Sequence, residues 1–196
     1  MYSKSIQKLI TLFKKLPTVG PRTASRFAFY LTKLSQEELD NFSESIKNIK
    51  SNIKICPSCF NIFDSSVNLD KCEICSDNVR ERSLLCVIEK ETDLSTIEET
   101  KTYNGLYFIL GGTLNLKKDN YLRINELKEK IKNSNFKEII IAVNPTTEGE
   151  ATRLLLEREL AFLNIKITHL GRGLPVGGEL EYADPETLES AFKFRS

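Results

Sequence analysis

The chain has 196 residues, 40% hydrophobic and 28% charged, which is the balance of a folded globular protein and excludes a disordered, collagenous or fibrous chain. At roughly 150 residues per domain this length allows between one and two domains. Net charge is +1, no apolar run approaches the roughly 18–20 residues of a membrane span, and the first residues, MYSKSIQKLITLFKKLP, lack the pattern of a secretory signal; no membrane partner and a cytoplasmic location are expected. The charge is unevenly spread. Residues 1–55 hold 10 Lys/Arg against 4 Asp/Glu, residues 56–82 hold 3 against 5, and residues 83–196 hold 15 against 18. A basic start on a slightly acidic body points to a polyanion partner at one end.

The predicted elements follow in chain order. Ile6, Leu9, Ile10, Phe13 and Leu16 recur at helical spacing and predict a helix over 5–16 that Pro17 stops. Pro21 suits the first position of a second helix, which runs to about Leu34 with Ala24, Phe27, Ala28 and Leu31 on one face. Ser35 and Glu38 form a capping box for a third helix carrying Leu39, Phe42, Ile46 and Ile49. Residues 1–54 therefore read as a three-helix unit. Residues 55–82 hold four of the five cysteines and are too short for a core of their own. From Ser83 the short apolar runs 84–89, 106–110, 138–143 and 165–170 read as strands buried on both faces, with helical stretches near 92–100, 121–133 and 147–163 between them. That alternation predicts a parallel α/β sheet over 83–172. Residues 171–178 read as loop, and Asp184-Pro185 starts a last helix over 185–194 within a C-terminal segment, 173–196.

Cys56-Pro57-Ser58-Cys59 and Cys72-Glu73-Ile74-Cys75 make two C-x2-C turns separated by twelve residues. Each turn can aim two thiolates at one ion, and two turns close a tetrahedron, so the spacing resembles a structural Zn²⁺ site. Four protein ligands leave no position for a reacting water. Cys86, inside LLCVIE, reads as a small buried hydrophobe.

Leu16-Pro17-Thr18-Val19-Gly20-Pro21-Arg22 resembles a helix-hairpin-helix turn, with Thr18 where a glycine is common. Such a turn exposes free N–H groups at the start of its second helix, where the helix dipole also favours a phosphate. Arg22 and Arg26 share one face of that helix and Lys14 and Lys15 flank the turn. With Gly20 these are the expected DNA-binding residues, and the contact would be indifferent to base sequence.

Glu89 ends the first strand of the sheet, and Asn144-Pro145-Thr146-Thr147-Glu148-Gly149-Glu150 follows the third. A glutamate and later acids at these strand ends resemble a Toprim domain, whose active members hold Mg²⁺ on a first-strand Glu and an Asp-x-Asp pair. Here Asn144 stands near the place of the first Asp and no Asp-x-Asp occurs over 138–152, so no catalytic residue is expected. Glu148 and Glu150 are either a solvated helix start or, with Glu89, a partner-binding surface. His169, the only histidine, reads as an ordinary strand-end residue.

The order of parts, together with LPTVGPRTASRFAF, LCVIE, YNGLYFILGG, NPTTEGEATR and GRGLPVGGELEYAD, resembles the RecR family of recombination mediators across nearly the whole chain. The resemblance implies a multidomain α plus α/β protein: a helix-hairpin-helix unit, a small zinc module, a Toprim-like parallel α/β domain and a C-terminal helix. It implies a non-enzymatic role, in which a ring-like clamp of dimers or tetramers binds single- and double-stranded DNA and helps RecO and RecF load RecA onto gapped single strands. By motif position Arg22 and Arg26 take the family's DNA-contacting places, and Cys56, Cys59, Cys72 and Cys75 its zinc ligands. Phe108 stands where that family commonly has a histidine. The alternative is an active Toprim nuclease or primase accessory enzyme dependent on a metal.

Overall fold

In a computed structural model the chain forms two compact units, Met1–Ile53 and Lys54–Ser196. The structure describes residues 2–66, 69–114, 121–171, 173–174, 176–193 and 195. Arg172 and Pro175 of the expected loop and Phe194 of the expected last helix therefore lie outside the described residues.

In the first unit α1 spans Lys4–Phe13, α2 Pro21–Leu31 and α3 Gln36–Asn52. Ser3 caps α1 through its side chain, and Ser35 and Glu38 form the reciprocal capping box of α3. Both of the first two helices end about three residues before the expected ends, at residue 16 and at about Leu34. Leu16 precedes Pro17, and a residue before proline is pushed out of the helical region, so the chain from Lys14 turns instead. Ala24 and Ala28 are fully buried, small enough to let α1 and α2 approach closely, and Phe13 meets Phe27 edge-on at 5.7 Å. The stripe expected to seat α3 is open: Phe42, Ile46 and Ile49 are 48%, 58% and 56% exposed. Periodicity gave the right face but not a partner for it.

In the second unit a short two-stranded pair, β1 (Ile53–Ile55) and β2 (Ile62–Asp64), joins a one-turn helix α4 (Glu73–Ser76) around the cysteines. The sheet proper has β3 (Glu81–Ile88), β4 (Gly105–Ile109), β5 (Glu138–Ala142) and β6 (Lys166–His169), all parallel, in the order β4-β3-β5-β6. The intervening helices are α5 (Glu91–Glu99), α6 (Ile124–Lys132) and α7 (Thr147–Leu160), and α8 (Pro185–Lys193) follows. Alternation along each strand splits the core in two. Leu85, Val87, Phe108, Ile139 and Ile141 pack with Leu127, Ile131, Leu156 and Leu160 from α6 and α7. Cys86, Ile88, Tyr107, Ile109 and Ala142 pack with Leu94 of α5. The strand at 165–170 differs from expectation: β6 is outermost with one neighbour, and Lys166 and His169 are exposed.

The second unit is tied together by polar contacts as well. Arg80 reaches Glu98 of α5 with both terminal nitrogens, and Tyr107 donates to the same carboxylate at 2.7 Å. The Arg80 guanidinium holds the Glu98 carboxyl below its ordinary range. Burial pushes the Cys86 thiol up to about 12, so it stays a neutral core residue.

Thr18 has a φ of 63°, in the left-handed region where a β-branched residue is strained and a glycine is not. Thr18→Gly should remove a strain of about 1–2 kcal/mol, partly offset by the entropy of an added glycine, for a net gain of roughly 0.5–1 kcal/mol. Urea unfolding of the N-terminal unit should show a higher midpoint; an unchanged or lower one would contradict the strain.

Candidate functional site

Three clusters carry chemistry. The first is the hairpin between α1 and α2. Val19 N donates to Leu16 O at 3.3 Å and closes the turn, and Gly20 caps α2 with no side-chain hydrogen bond. The N–H groups of the first turn have no intrahelical acceptor, and Pro21 removes one of them by chemistry. Gly20 has an ordinary φ of −81°, and a Cβ built there meets nothing within 4 Å. Neither backbone nor packing requires glycine at this point, so the residue leaves open room beside the helix start. Arg22, Arg26, Lys14 and Lys15 are all exposed around it.

The second cluster is Cys56, Cys59, Cys72 and Cys75, all buried, with their sulfurs within 4.8 Å of one another. Cys59 and Cys72 come within 3.4 Å. A tetrahedral ion with metal–sulfur bonds near 2.3 Å needs sulfurs about 3.8 Å apart, so the donor set fits a divalent thiophilic metal. These four side chains, with Phe63 and Ile74 against them, are the small core that the segment lacks in its apolar residues.

That cluster is docked on the sheet. Ile109 N of the edge strand β4 donates to Cys59 O at 3.0 Å. Phe60, held at a φ of 65°, meets Phe108 edge-on at 5.4 Å and lies under Arg123 at 4.6 Å. Phe108, fully buried, thus serves packing. Lys130 of α6 donates to Ser58 O and Oγ at 2.9 and 2.7 Å, and burial pushes its pKa down. Sequence reading missed Lys130, although it follows Leu127 by three positions on the buried side of α6.

The third cluster lies at the carboxyl end of the sheet, where β3 and β5 adjoin. The first strand after β3 runs to one side and β5 and β6 lie to the other, so this is the switch point at which open α/β sheets form their sites. Glu89 is only 8% exposed there. Its Oε1 accepts from Asn144 N at 2.6 Å and its Oε2 from Asn144 Nδ2 at 2.8 Å. Asn144 is fixed in turn by α7: a Cβ at Gly149 would come within 1.9 Å of Asn144 O, and Thr146 Oγ1 caps the helix by accepting from Gly149 N. The three expected carboxylates therefore differ. Glu89 is buried and engaged by Asn144, Glu150 pairs with Arg153 at 3.0 Å, and Glu148 is exposed. Arg153 also holds Glu157, which His169 meets at 2.8 Å. This Arg153 network bounds a cleft of about 760 Å³ reaching Asp184 and Glu186 of the C-terminal segment.

A helical hairpin unit, a buried four-cysteine cluster and a parallel sheet with a glutamate at its switch point define a multidomain Toprim protein. Family models match three stretches of the chain: RecR helix-hairpin-helix over residues 6–50, Toprim domain over 83–171, and RecR C-terminal over 173–196. The chain is 41% identical to recombination protein RecR of Rubrobacter xylanophilus, covering 99% of this chain and 97% of that one. It is 43% identical to recombination protein RecR of Bifidobacterium animalis subsp. lactis, over 99% and 96%, and 42% identical to that of Chloroflexus aurantiacus, over 97% and 93%. The chain belongs to the RecR family.

Asn144→Asp replaces two donated hydrogen bonds by one and sets a second carboxylate against the buried Glu89. Asn144 is exposed, so solvent screens part of the repulsion, and the cost is about 1–2 kcal/mol. Thermal unfolding of the variant at neutral pH should fall well below wild type, and Mg²⁺ should restore part of the loss by taking carboxylate oxygens. Equal unfolding temperatures without Mg²⁺ would contradict the role given to Asn144.

Proposed function

We propose that the protein is a non-enzymatic mediator of DNA recombination and repair, which binds DNA through the α1–α2 hairpin and offers its other parts to protein partners. The observation that carries this reading is the uncapped start of α2, open beside Gly20 and ringed by Arg22, Arg26, Lys14 and Lys15. Backbone N–H groups at a helix start and exposed guanidinium groups hold phosphates and carry no base information. The binding is therefore electrostatic and sequence-neutral, and takes both single and double strands. The names of the relatives, recombination protein RecR, support the process in which it acts.

Cys56, Cys59, Cys72 and Cys75 would hold one Zn²⁺, whose contribution is structural. The lack of catalysis is supported by Glu89, whose two oxygens are already taken by Asn144, so the pair lacks the free hard-oxygen set of two-metal phosphoryl transfer. Glu148 and Glu150 at the start of α7 remain on the surface side, and in this reading they meet a basic protein partner, RecO, with RecF and RecA acting in the same loading step. Glu89 would then act by shaping that face through Asn144. The open apolar stripe of α3 supports self-association to a dimer or tetramer, since contiguous exposed apolar surface marks an interface. Among the described residues no helix is long and apolar enough to cross a membrane, and the cytoplasm is the proposed location.

The test is a salt titration of DNA affinity. Arg22→Ala with Arg26→Ala should weaken binding similarly on unrelated sequences, and each lost phosphate contact should flatten the log–log slope by about 0.7 on single strands and about 0.9 on duplex. An unchanged slope and affinity would remove the hairpin as the DNA site.

A further inference from the structure

Lys130 lies on α6 and its ammonium donates to Ser58 O at 2.9 Å and Ser58 Oγ at 2.7 Å. Ser58 sits between Cys56 and Cys59, so this cation is fastened to the loop that carries two of the four sulfurs. Its neighbour Lys128 has a carboxylate partner in Glu159, whereas among the described residues no carboxylate forms an ion pair with Lys130. A largely buried ammonium held only by neutral oxygens is costly, and its burial calls for a nearby negative group. The cysteine cluster supplies one. Four thiolates around a divalent ion keep a net double negative charge, which is itself costly to bury without a cation.

We infer that Lys130 is a positioning residue of the metal centre: its charge balances the thiolate cluster, and its two hydrogen bonds hold the Cys56–Cys59 turn in the shape that the metal needs. This rests on the zinc reading above and assigns to α6 a part in a site whose ligands all lie in the preceding segment. The sulfurs are the ligands, Ser58 transmits the contact, and the counter-charge comes from the α/β domain. Hydrogen bonds and charges just outside a ligand set commonly control metal affinity by about 10- to 100-fold.

The experiment uses the full-length protein as wild type and as Lys130→Met, Lys130→Gln and Lys130→Arg. Elemental analysis of the wild type comes first; an absence of zinc overturns the metal reading itself, before any substitution is compared. With zinc present, the rate of its release to a chromogenic chelator is measured for each variant, and the thiolate charge-transfer band of the Co²⁺-substituted protein is recorded. Met keeps the length and loses the charge, Gln keeps a donor for Ser58 and loses the charge, and Arg keeps both. Release should quicken about 10- to 100-fold in the Met and Gln variants, with a displaced Co²⁺ band, while Arg stays close to wild type. Circular dichroism identifies a variant that has failed to fold, and Gln decides the matter if Met does so. A folded neutral variant that keeps zinc as long as wild type overturns the inference. So does an Arg variant that loses zinc as fast as the neutral ones, because packing and not charge would then be the cause.

Discussion

Glu89 emerges from the central strand of the sheet almost without exposure, and both of its oxygens are met by Asn144 from the end of the neighbouring strand. A buried carboxylate so placed must be answered by donors or by a cation. Here the backbone and side-chain N–H groups of one residue answer it. That pairing joins the ends of β3 and β5, and Gly149 lets α7 start directly against it, since any side chain there would strike Asn144 O. The position of Glu148 and Glu150, the anchoring of Arg153 and the mouth of the adjoining cleft all follow from where α7 begins. In the proposed mediator this end of the sheet presents a surface.

The opposite problem arises at the edge of the sheet. β4 has only one strand neighbour, and an uncovered edge invites pairing with another chain. The cysteine segment covers part of it, through Cys59 O on Ile109 N and through Phe60 on Phe108. The segment has too few apolar residues to stand alone, and the sheet has an edge in need of cover. Each supplies what the other lacks, and the Arg80–Glu98 pair and the Lys130–Ser58 contact fasten the junction at two further points.

The order of strands and helices was legible because parallel strands read as short apolar runs and the helix starts carry their own caps: Ser35 with Glu38, Thr146, and Asp184, which accepts from Thr187 N. Helix ends were less legible, since Leu16 continues the apolar period past the point where Pro17 forbids it. The open face of α3 and the exposed edge strand β6 escaped the reading because periodicity reports which side is apolar and not what covers it. At the site, the C-x2-C spacing carried the cysteine cluster almost whole. The Glu89–Asn144 pairing was visible only as a missing aspartate. Lys130 gave no signal beyond its place beside Leu127 and Ile131, because in sequence a buried lysine looks like any other in a KEKIK run.

The central proposal is that the sheet's switch point does no metal chemistry while the hairpin binds DNA. The most direct measurement incubates the protein with end-labelled single strands, duplex and supercoiled plasmid, with and without Mg²⁺, and follows both mobility and strand integrity. The account predicts a mobility shift on all three that weakens with salt and leaves every strand intact with or without the ion. Strand cleavage that requires Mg²⁺ and disappears in Glu89→Gln would contradict it.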